Sequence, residues 1–476
     1  MNWCLPHGMI RDYRIDDRRV LFHVPTTSLF ELDAAAAAVM DQLSSAESLT
    51  ADAMAVRLDG RFTPPVLAEA LENLAALGVI HPLAGGAPVR QPPPVPDDAL
   101  TTVVLTLTTG CNLACTYCYK EDLSRPAQAQ TLSFDHACRA VDLLIARSGQ
   151  RPRVNLTFFG GEPLTALPMI RRVVAYAQDR GAETGKAFDF SLTTNATLLD
   201  DATIDFLAAH RFGVTVSMDG PEAVHDRNRR TGGGHGTHAV VAAKARRLLE
   251  RYPGRPIGAR VTLTKGVTDL AAIFRHLRDD IGFAEVGFAP VTAGLPAGFG
   301  LDAAETRQVF DGLAALALEW RDGALAGRDT GFSNISQMMT ALDEGSSKLI
   351  PCGAGVALLA VETGGDIALC HRFAGSGILR FGHVDTGLDQ DGLDRFVARA
   401  RQRTEGFCGG CHARHLCAGG CYHESYARHG DPWRPTDHYC DLMRAWIDLG
   451  ISIYAEIMAK TPTIMTRRAG SRGSTT

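Results

Sequence analysis

The first apolar runs of the chain are short and interrupted. Arg19-Val20-Leu21-Phe22-His23-Val24 predicts a strand, and Ser28-Leu29-Phe30-Glu31-Leu32 its hairpin partner. Asp33 can cap a helix that runs through Leu43. A second helix is expected over residues 50–58. A third spans 64–77, with Leu67, Leu71, Leu74 and Leu77 at helical spacing. Two strands and three helices make a small winged-helix-like module over residues 1–86. The proline-rich run 87–99 that follows favours extended, semi-rigid backbone and reads as a linker.

Beyond the linker the pattern becomes a regular alternation. Strand-like runs at 102–108, 154–159, 188–193, 214–217, 259–264 and 285–290 are each followed by a helix-like stretch: 133–148, 167–181, 201–210, 237–251, 269–281 and 302–321. Six strand–helix repeats argue for parallel strands with right-handed crossovers. Six rather than eight indicates an α/β fold with a partial (β/α)6 barrel over 100–325. Its chemistry should collect in the loops after the strands' C-terminal ends. From about residue 350 the alternation stops. Val356–Val361 (356–361), a Gly364-Gly365 turn and residues 366–370 predict a β-hairpin. The rest of a region assigned to 326–445 is studded with Cys, Gly and His and has little regular pattern. A C-terminal helix and a frayed tail are expected over 446–476.

Composition narrows the class. At 476 residues, 45% apolar and 21% charged, the chain can bury a large core and form two to four domains. A net charge of −5 gives no electrostatic case for nucleic-acid binding. No apolar run is long enough to span a membrane, and the N-terminus has no secretory pattern, so a cytoplasmic protein without membrane partners is expected. In that compartment 12 cysteines point to metal or redox chemistry rather than disulfides. They are clustered: three within 111–118, four within 408–421, and Cys352, Cys370 and Cys440 around the second group. Cys4 and Cys138 stand apart and read as free thiols.

Cys111-x3-Cys115-x2-Cys118 directly follows the first barrel strand. Three thiolates in one tight loop can hold three corners of a cubic iron–sulfur cluster and leave the fourth iron open. A zinc site is the alternative, and it would want a fourth ligand, with Asp122 and His136 as candidates. The other strand ends carry Gly160-Gly161-Glu162-Pro163, Thr193-Thr194-Asn195 and Ser217-Met218-Asp219-Gly220. Glycines admit close backbone approach, and a carboxylate can accept hydrogen bonds from an ammonium group.

These motifs, in this order on four consecutive strand ends, resemble the radical S-adenosylmethionine (SAM) superfamily. The resemblance implies a [4Fe–4S] cluster on Cys111, Cys115 and Cys118 that binds SAM and cleaves it to a 5′-deoxyadenosyl radical. It implies Tyr117 near the adenine and the Gly160–Pro163 (160–163) segment at the SAM amino group. Thr194, Asn195, Ser217 and Asp219 would serve the ribose and carboxylate, with Arg229 and Arg260 as weaker carboxylate partners. The C-terminal pattern Cys352-x12-Gly365-x4-Cys370, Cys408-x2-Cys411-x5-Cys417-x3-Cys421, Cys440 resembles the SPASM extension of peptide-modifying radical SAM enzymes.

That resemblance implies two auxiliary [4Fe–4S] clusters, three clusters in all. Cys408, Cys411, Cys417 and Cys440 would hold one; Cys352, Cys370 and Cys421 would contribute to the other. Two full clusters need eight ligands and seven cysteines are present. Ser346 occupies the position that supplies the eighth in some family members, so the site is either open or completed by His371 or Cys4. The family implies a precursor polypeptide with a leader as substrate, bound by the N-terminal module, and a flavodoxin or ferredoxin as reductant. Within it, the chain is similar to maturases that form thioether cross-links from cysteine sulfur to Asp/Glu carbons in a small amine dehydrogenase subunit. The alternative within the family is a formylglycine-forming sulfatase-type maturase. His371, a candidate base, stands where that group often carries Asp. The alternative outside the family is a non-catalytic, zinc-stabilised binding protein.

Overall fold

The computed structural model describes residues 1–6, 8–83, 99–118, 129–292 and 298–461. The proline-rich linker, Asp122 and the tail beyond 461 lie outside the described residues.

The N-terminal region holds β1 (Asn2–Cys4), β2 (Ile10–Ile15), β3 (Arg18–His23), β4 (Ser28–Glu31), α1 (Ala34–Ser44), β5 (Leu49–Thr50), α2 (Ala51–Arg57), α3 (Pro64–Ala76) and β6 (His81–Pro82). The three helices and the β3–β4 hairpin fall where the sequence predicts them. Asp33 and Thr50 accept from Ala36 N and Ala53 N, capping α1 and α2. The expected two strands become six, in two three-stranded sheets ordered β5-β1-β6 and β2-β3-β4. The additional strands lack a hydrophobic signal: β1, β5 and β6 are two or three residues long, and β2 carries Arg11, Asp12 and Arg14 on its exposed positions. A separate core of Leu21, Val39, Met40, Leu43, Met54, Leu67, Leu71 and Leu74 fills this region.

The alternating region forms β7 (Thr102–Thr108), α4 (Phe134–Ala146), β8 (Arg153–Gly160), α5 (Leu167–Thr184), β9 (Ala187–Thr194), α6 (Asp201–Ala209), β10 (Gly213–Ser217), α7 (Glu222–Asn228), α8 (His238–Arg251), β11 (Gly258–Leu263), α9 (Leu270–Arg275), β12 (Glu285–Pro290) and α10 (Ala303–Leu325). The six strands are parallel and neighbour one another in chain order. Each strand presents apolar residues to the outer helices: Val154, Leu156 and Phe158, then Phe190 and Leu192, then Val214 and Val216. Phe158, Phe190 and Phe212 stack with centroids 5.4–6.2 Å apart. The opposite face carries Asn155, Thr157, Phe159, Ser191, Thr193, Thr215, Ser217, Arg260 and Thr262, none of them fully buried.

Parallel strands covered on both faces read as continuous hydrophobic runs. Here the strands alternate, so the concave face is lined with hydrogen-bonding groups. Asn155 Nδ2 donates to Thr157 Oγ1 at 3.0 Å, and Thr157 Oγ1 and Ser191 Oγ share a bond of 2.9 Å.

The C-terminal region departs most from expectation. After α11 (Ser333–Asp343), the predicted hairpin forms as β13 (Leu358–Val361) and β14 (Asp366–Ala368), followed by β15 (Arg380–His383) and β16 (Gly387–Leu388). It is not a separate sheet. β13 pairs parallel with β7, Leu358 to Thr102 through Val361 to Leu105, giving one ten-stranded sheet.

The stretch expected to be irregular contains α12 (Gln390–Gln402), α13 (Arg414–Cys417), α14 (Tyr422–His429) and α15 (Cys440–Lys460). α12 is amphipathic, burying Leu393, Phe396 and Ala400, but three arginines among its last eight residues mask the stripe. The C-terminal helix begins at 440 rather than 446, at a cysteine. Among the described residues no helix is long and apolar enough to cross a membrane.

Phe158→Ala would leave a cavity between two stacked rings in the helix-facing core. The expected destabilisation is about 3–5 kcal/mol, read as a lowered urea midpoint of the apoprotein with an unchanged slope.

Candidate active site

Cys111, Cys115 and Cys118 occupy the loop after β7, which has almost no apolar packing of its own. Its backbone is held from two sides. On one side Ala114 N donates to Arg230 O at 2.8 Å and Thr116 N to Asn228 O at 3.1 Å, and Thr116 Oγ1 donates to Asn228 Oδ1 at 2.8 Å. On the other side the end of β8 closes in: Gly161 N donates to Thr108 O at 2.8 Å and Glu162 N to Gly110 O at 3.0 Å. A Cβ on Gly161 would overlap the Gly110 carbonyl oxygen, and one on Gly160 (φ +150°) the Thr108 carbonyl oxygen. The two glycines are therefore required by strand-to-loop contact within the protein.

Glu162 is buried, as is Pro163 beside it. Its carboxylate accepts from Thr194 Oγ1 at 2.7 Å, Asn195 N at 2.7 Å and Leu164 N at 3.1 Å. Burial raises its pKa, against these donors and the charge of Arg229. Asn195 turns back to the cysteine loop: Nδ2 donates to Asn112 Oδ1 at 2.9 Å and approaches Cys111 Sγ at 3.9 Å. Thr194, Asn195 and Glu162 thus join the second and third strand ends to the cysteines.

A second buried network bolts down the far end of the loop. Tyr117 Oη donates to Asp219 Oδ2 at 2.6 Å and accepts from Arg229 Nη1 at 2.6 Å. Asp219 Oδ1 accepts from Thr262 N at 3.0 Å, and Asp219 N donates to His225 Nδ1 at 3.3 Å. His225 Nε2 lies 3.1 Å from Thr237 Oγ1, which donates to Arg229 O. Burial raises the Asp219 pKa, opposed by Arg229, and raises that of Tyr117 strongly. Arg229, expected as a weaker carboxylate partner, uses Nη1 within this network. Asn228, His225 and Thr237 were not anticipated; they lie in a short helix and loop with no motif to mark them.

Of the predicted SAM contacts, Ser217 stands on the concave face, level with Arg260 on β11. The Arg260 pKa is lowered by burial and by the neighbouring Arg372. The ring of His371, next to Cys370, lies 4.3 Å from that of Phe159 on β8. The C-terminal region therefore borders the concave face.

The seven remaining grouped cysteines fall into the two predicted sets. Cys352 and Cys370 each neighbour Cys421, and burial pushes the Cys370 thiol up to about 12. Cys408, Cys411, Cys417 and Cys440 neighbour one another, and burial pushes Cys417 up to about 11. None of the twelve cysteines is in a disulfide. Cysteine thiols lose their protons on binding metal.

A tetrahedral zinc with Zn–S near 2.3 Å needs sulfurs about 3.8 Å apart. Among the described residues the group of three ligand atoms that converges within 4.8 Å is His136, His383 and Asp385, not a cysteine set. Among the described residues no three cysteine sulfurs converge that closely. His136, a candidate zinc ligand, is engaged with Asp385 and His383 instead. For the set of three, Cys4 Sγ donates to His81 O at 3.5 Å and Ser346 Oγ to Glu344 Oε2 at 3.3 Å, both in local contacts.

Residues 105–275 match the radical SAM superfamily. Over 156 residues the chain is 30% identical to a cysteine-type anaerobic sulfatase-maturating enzyme of Clostridium perfringens, covering 32% of this chain and 41% of that protein. The chain thus spans less than half the length of this curated relative. In structure it is similar to native anSMEcpe with bound AdoMet, with TM-score 0.63 and 19% identity, covering 75% of this chain and 98% of that one. It is also similar to Streptococcus suis SuiB bound to precursor peptide SuiA, with TM-score 0.51 and 15% identity, covering 92% and 99%. The α/β radical SAM fold with a cysteine-rich C-terminal region is the fold found.

Two outcomes follow from the site. Gly161→Ala should force β8 away from the cysteine loop and lower the iron the protein takes up on anaerobic reconstitution, read by iron analysis against wild type. Burial lowers the His225 pKa to about 3. Above pH ~6.5 the ring is neutral folded or unfolded. As pH falls toward 3 only the unfolded chain takes the proton, so stability falls, by at most about 1.4 kcal/mol per pH unit. The acid limb of a His225→Gln stability–pH curve should be shallower by that one proton.

Proposed function

We propose that this protein is a radical SAM maturase that modifies a ribosomally made polypeptide and forms thioether cross-links between cysteine sulfur and Asp/Glu side-chain carbons, in a substrate such as a small amine dehydrogenase subunit. The observation that carries the reading is the division of ten cysteines into one set at the first strand end and two sets in the region bordering the concave face. Three [4Fe–4S] clusters is the loading this arrangement suits.

Cys111, Cys115 and Cys118 would hold the cluster that, with SAM bound, supplies a carbon-centred radical able to remove hydrogen from an unactivated carbon. Ser217, with the Gly160–Glu162 (160–162) and Thr194–Asn195 (194–195) backbone, would orient SAM. The Tyr117–Asp219–Arg229 network keeps the loop rigid beneath it. Phe159 and His371 would wall the reacting carbon from water, with His371 the candidate to receive the thiol proton. Cys352, Cys370 and Cys421 supply three ligands, and the remaining position suits a substrate thiolate. The product lacks two hydrogens per cross-link and keeps its sulfur: one leaves as a hydrogen atom to the deoxyadenosyl radical, the other as the thiol proton, and the electron released when the thiolate joins the carbon radical would pass to an auxiliary cluster.

Residues 1–86 fit a substrate-recognition role. One edge of the β2-β3-β4 sheet is covered by α15, through Tyr13 and Arg11 to Asp448. Among the described residues the outer edge of β4 pairs with no strand, so an extended leader could add there. The SuiB structure with its precursor peptide covers 92% of this chain against 75% for the sulfatase-maturase structure, which supports that role. The domain division is then residues 1–86 for recognition, 100–325 for radical chemistry and 326–445 for the auxiliary clusters, served by a flavodoxin- or ferredoxin-type reductant.

The names of the sulfatase-maturating relatives favour a second reading, formylglycine formation. Mass spectrometry of candidate peptides with full-length enzyme, SAM and reductant separates the two. A thioether gives loss of two hydrogens with one cysteine fewer to alkylate. Formylglycine gives an aldehyde trapped by hydrazide. Deleting 1–86 should abolish peptide modification while leaving slow 5′-deoxyadenosine formation; normal peptide turnover after the deletion would reduce the module to a cap.

A further inference from the structure

Arg403, at the end of α12, is 4% exposed. Its surroundings are drawn from both auxiliary cysteine sets. Its carbonyl accepts from Cys408 N at 3.2 Å. Its Nη2 donates to Gly419 O, and at 3.2 Å to Gly420 O and to Ser425 Oγ. Gly419 and Gly420 form the link between Cys417 of one set and Cys421 of the other. Ser425 Oγ in turn donates to Cys421 O at 3.0 Å. The guanidinium lies 4.7 Å over the ring of Tyr422. A Cβ on Gly419 (φ +77°) would stand 2.7 Å from Arg403 Nε, so the glycine makes room for the fork.

The remaining donors, Nε and Nη1, are buried and without a partner. A buried guanidinium left with unpaired N–H groups is strongly disfavoured unless an anion faces it. The charge of Arg403 acts on Cys352 in one set and on Cys408 in the other. The other cations here serve one set each: Lys348 faces Cys352, Arg414 faces Cys408 and Cys411, and Arg444 faces Cys411 and Cys440. Thiolate-ligated clusters are anionic, and hydrogen bonds to their sulfurs and nearby charge set their potentials.

We propose that Arg403 is a positioning residue shared by the two auxiliary sites, whose charge and unpaired N–H groups would serve the clusters on both sides and raise both reduction potentials together. This rests on the reading that the seven cysteines hold two clusters. Added negative charge on reduction at either site is stabilised by the same guanidinium, so the two sites are matched and coupled through one side chain.

The test uses the full-length protein, reconstituted anaerobically with iron and sulfide and titrated with a chemical reductant while the clusters are followed by electron paramagnetic resonance. In Arg403→Gln with wild-type iron content, both auxiliary clusters should become harder to reduce by about tenfold, equivalent to 59 mV for a one-electron couple. The Cys111 cluster should titrate as in wild type. Exchangeable-proton couplings to the reduced auxiliary clusters should weaken. Arg414→Gln should move only one auxiliary cluster. If neither auxiliary potential moves in Arg403→Gln, or only one does, the shared role is wrong. Should that variant lose iron, Arg403→Lys is read instead: it keeps the charge and loses the fork, and an unchanged exchangeable-proton coupling overturns the proposal. A wild-type protein whose iron and signals account for the Cys111 cluster alone overturns the two-cluster reading beneath it.

Discussion

The structure depends on a contact between two pieces of backbone. The Cys111–Cys118 (111–118) loop has no core, and its conformation is imposed by the end of β8, where Gly160 and Gly161 press against Thr108 and Gly110. Only a residue without Cβ permits that approach. Glu162 then continues inward and gathers the end of β9 through Thr194 and Asn195. A single turn thereby sets the relative positions of three strand ends and of the cysteines they surround. Because Glu162 is fully occupied by protein donors, its carboxylate acts as a rivet.

A partial barrel has a concave face that helices cannot fill. The alternation of Val154, Leu156 and Phe158 with Asn155, Thr157 and Phe159 solves this by making one face helix-packed and the other polar. The same alternation recurs on β9, β10 and β11. The polar rows bond to one another, as Thr157 does to Ser191, so they tolerate water while leaving the strand ends free to meet a ligand. The stability of the barrel and the accessibility of its mouth come from opposite faces of the same strands.

The sequence carries the barrel clearly because each of its elements is long and periodic; β7 and β12 occupy the predicted residues, 102–108 and 285–290. The ten grouped cysteines also separate in space as their spacing implies. What was not readable is contact across the chain. Asn228 and Arg229 hold the cysteine loop through hydrogen bonds separated by more than a hundred residues, with no local pattern to show it. α12 was hidden by its arginines, and nothing near Arg403 in sequence shows that its side chain reaches the Gly419–Gly420 turn between Cys417 and Cys421. The β13–β7 pairing joins strands more than 250 residues apart, and nothing in either strand names its partner.

That pairing has the largest functional consequence of the fold. By extending the barrel sheet past β7, it carries the hairpin to the side of the first strand, and the residues just beyond β14 reach the concave face. Cys370 and His371 arrive next to Phe159 because β13 is in register with β7 and β7 with β8, Val104 lying between Ala360 and Thr157. A one-residue slip in a parallel ladder would exchange the two faces of the hairpin, turning the cysteine-bearing side toward the helices. The register of four backbone pairs therefore sets the cysteine-rich C-terminal region beside the strand that leads into the Cys111 loop.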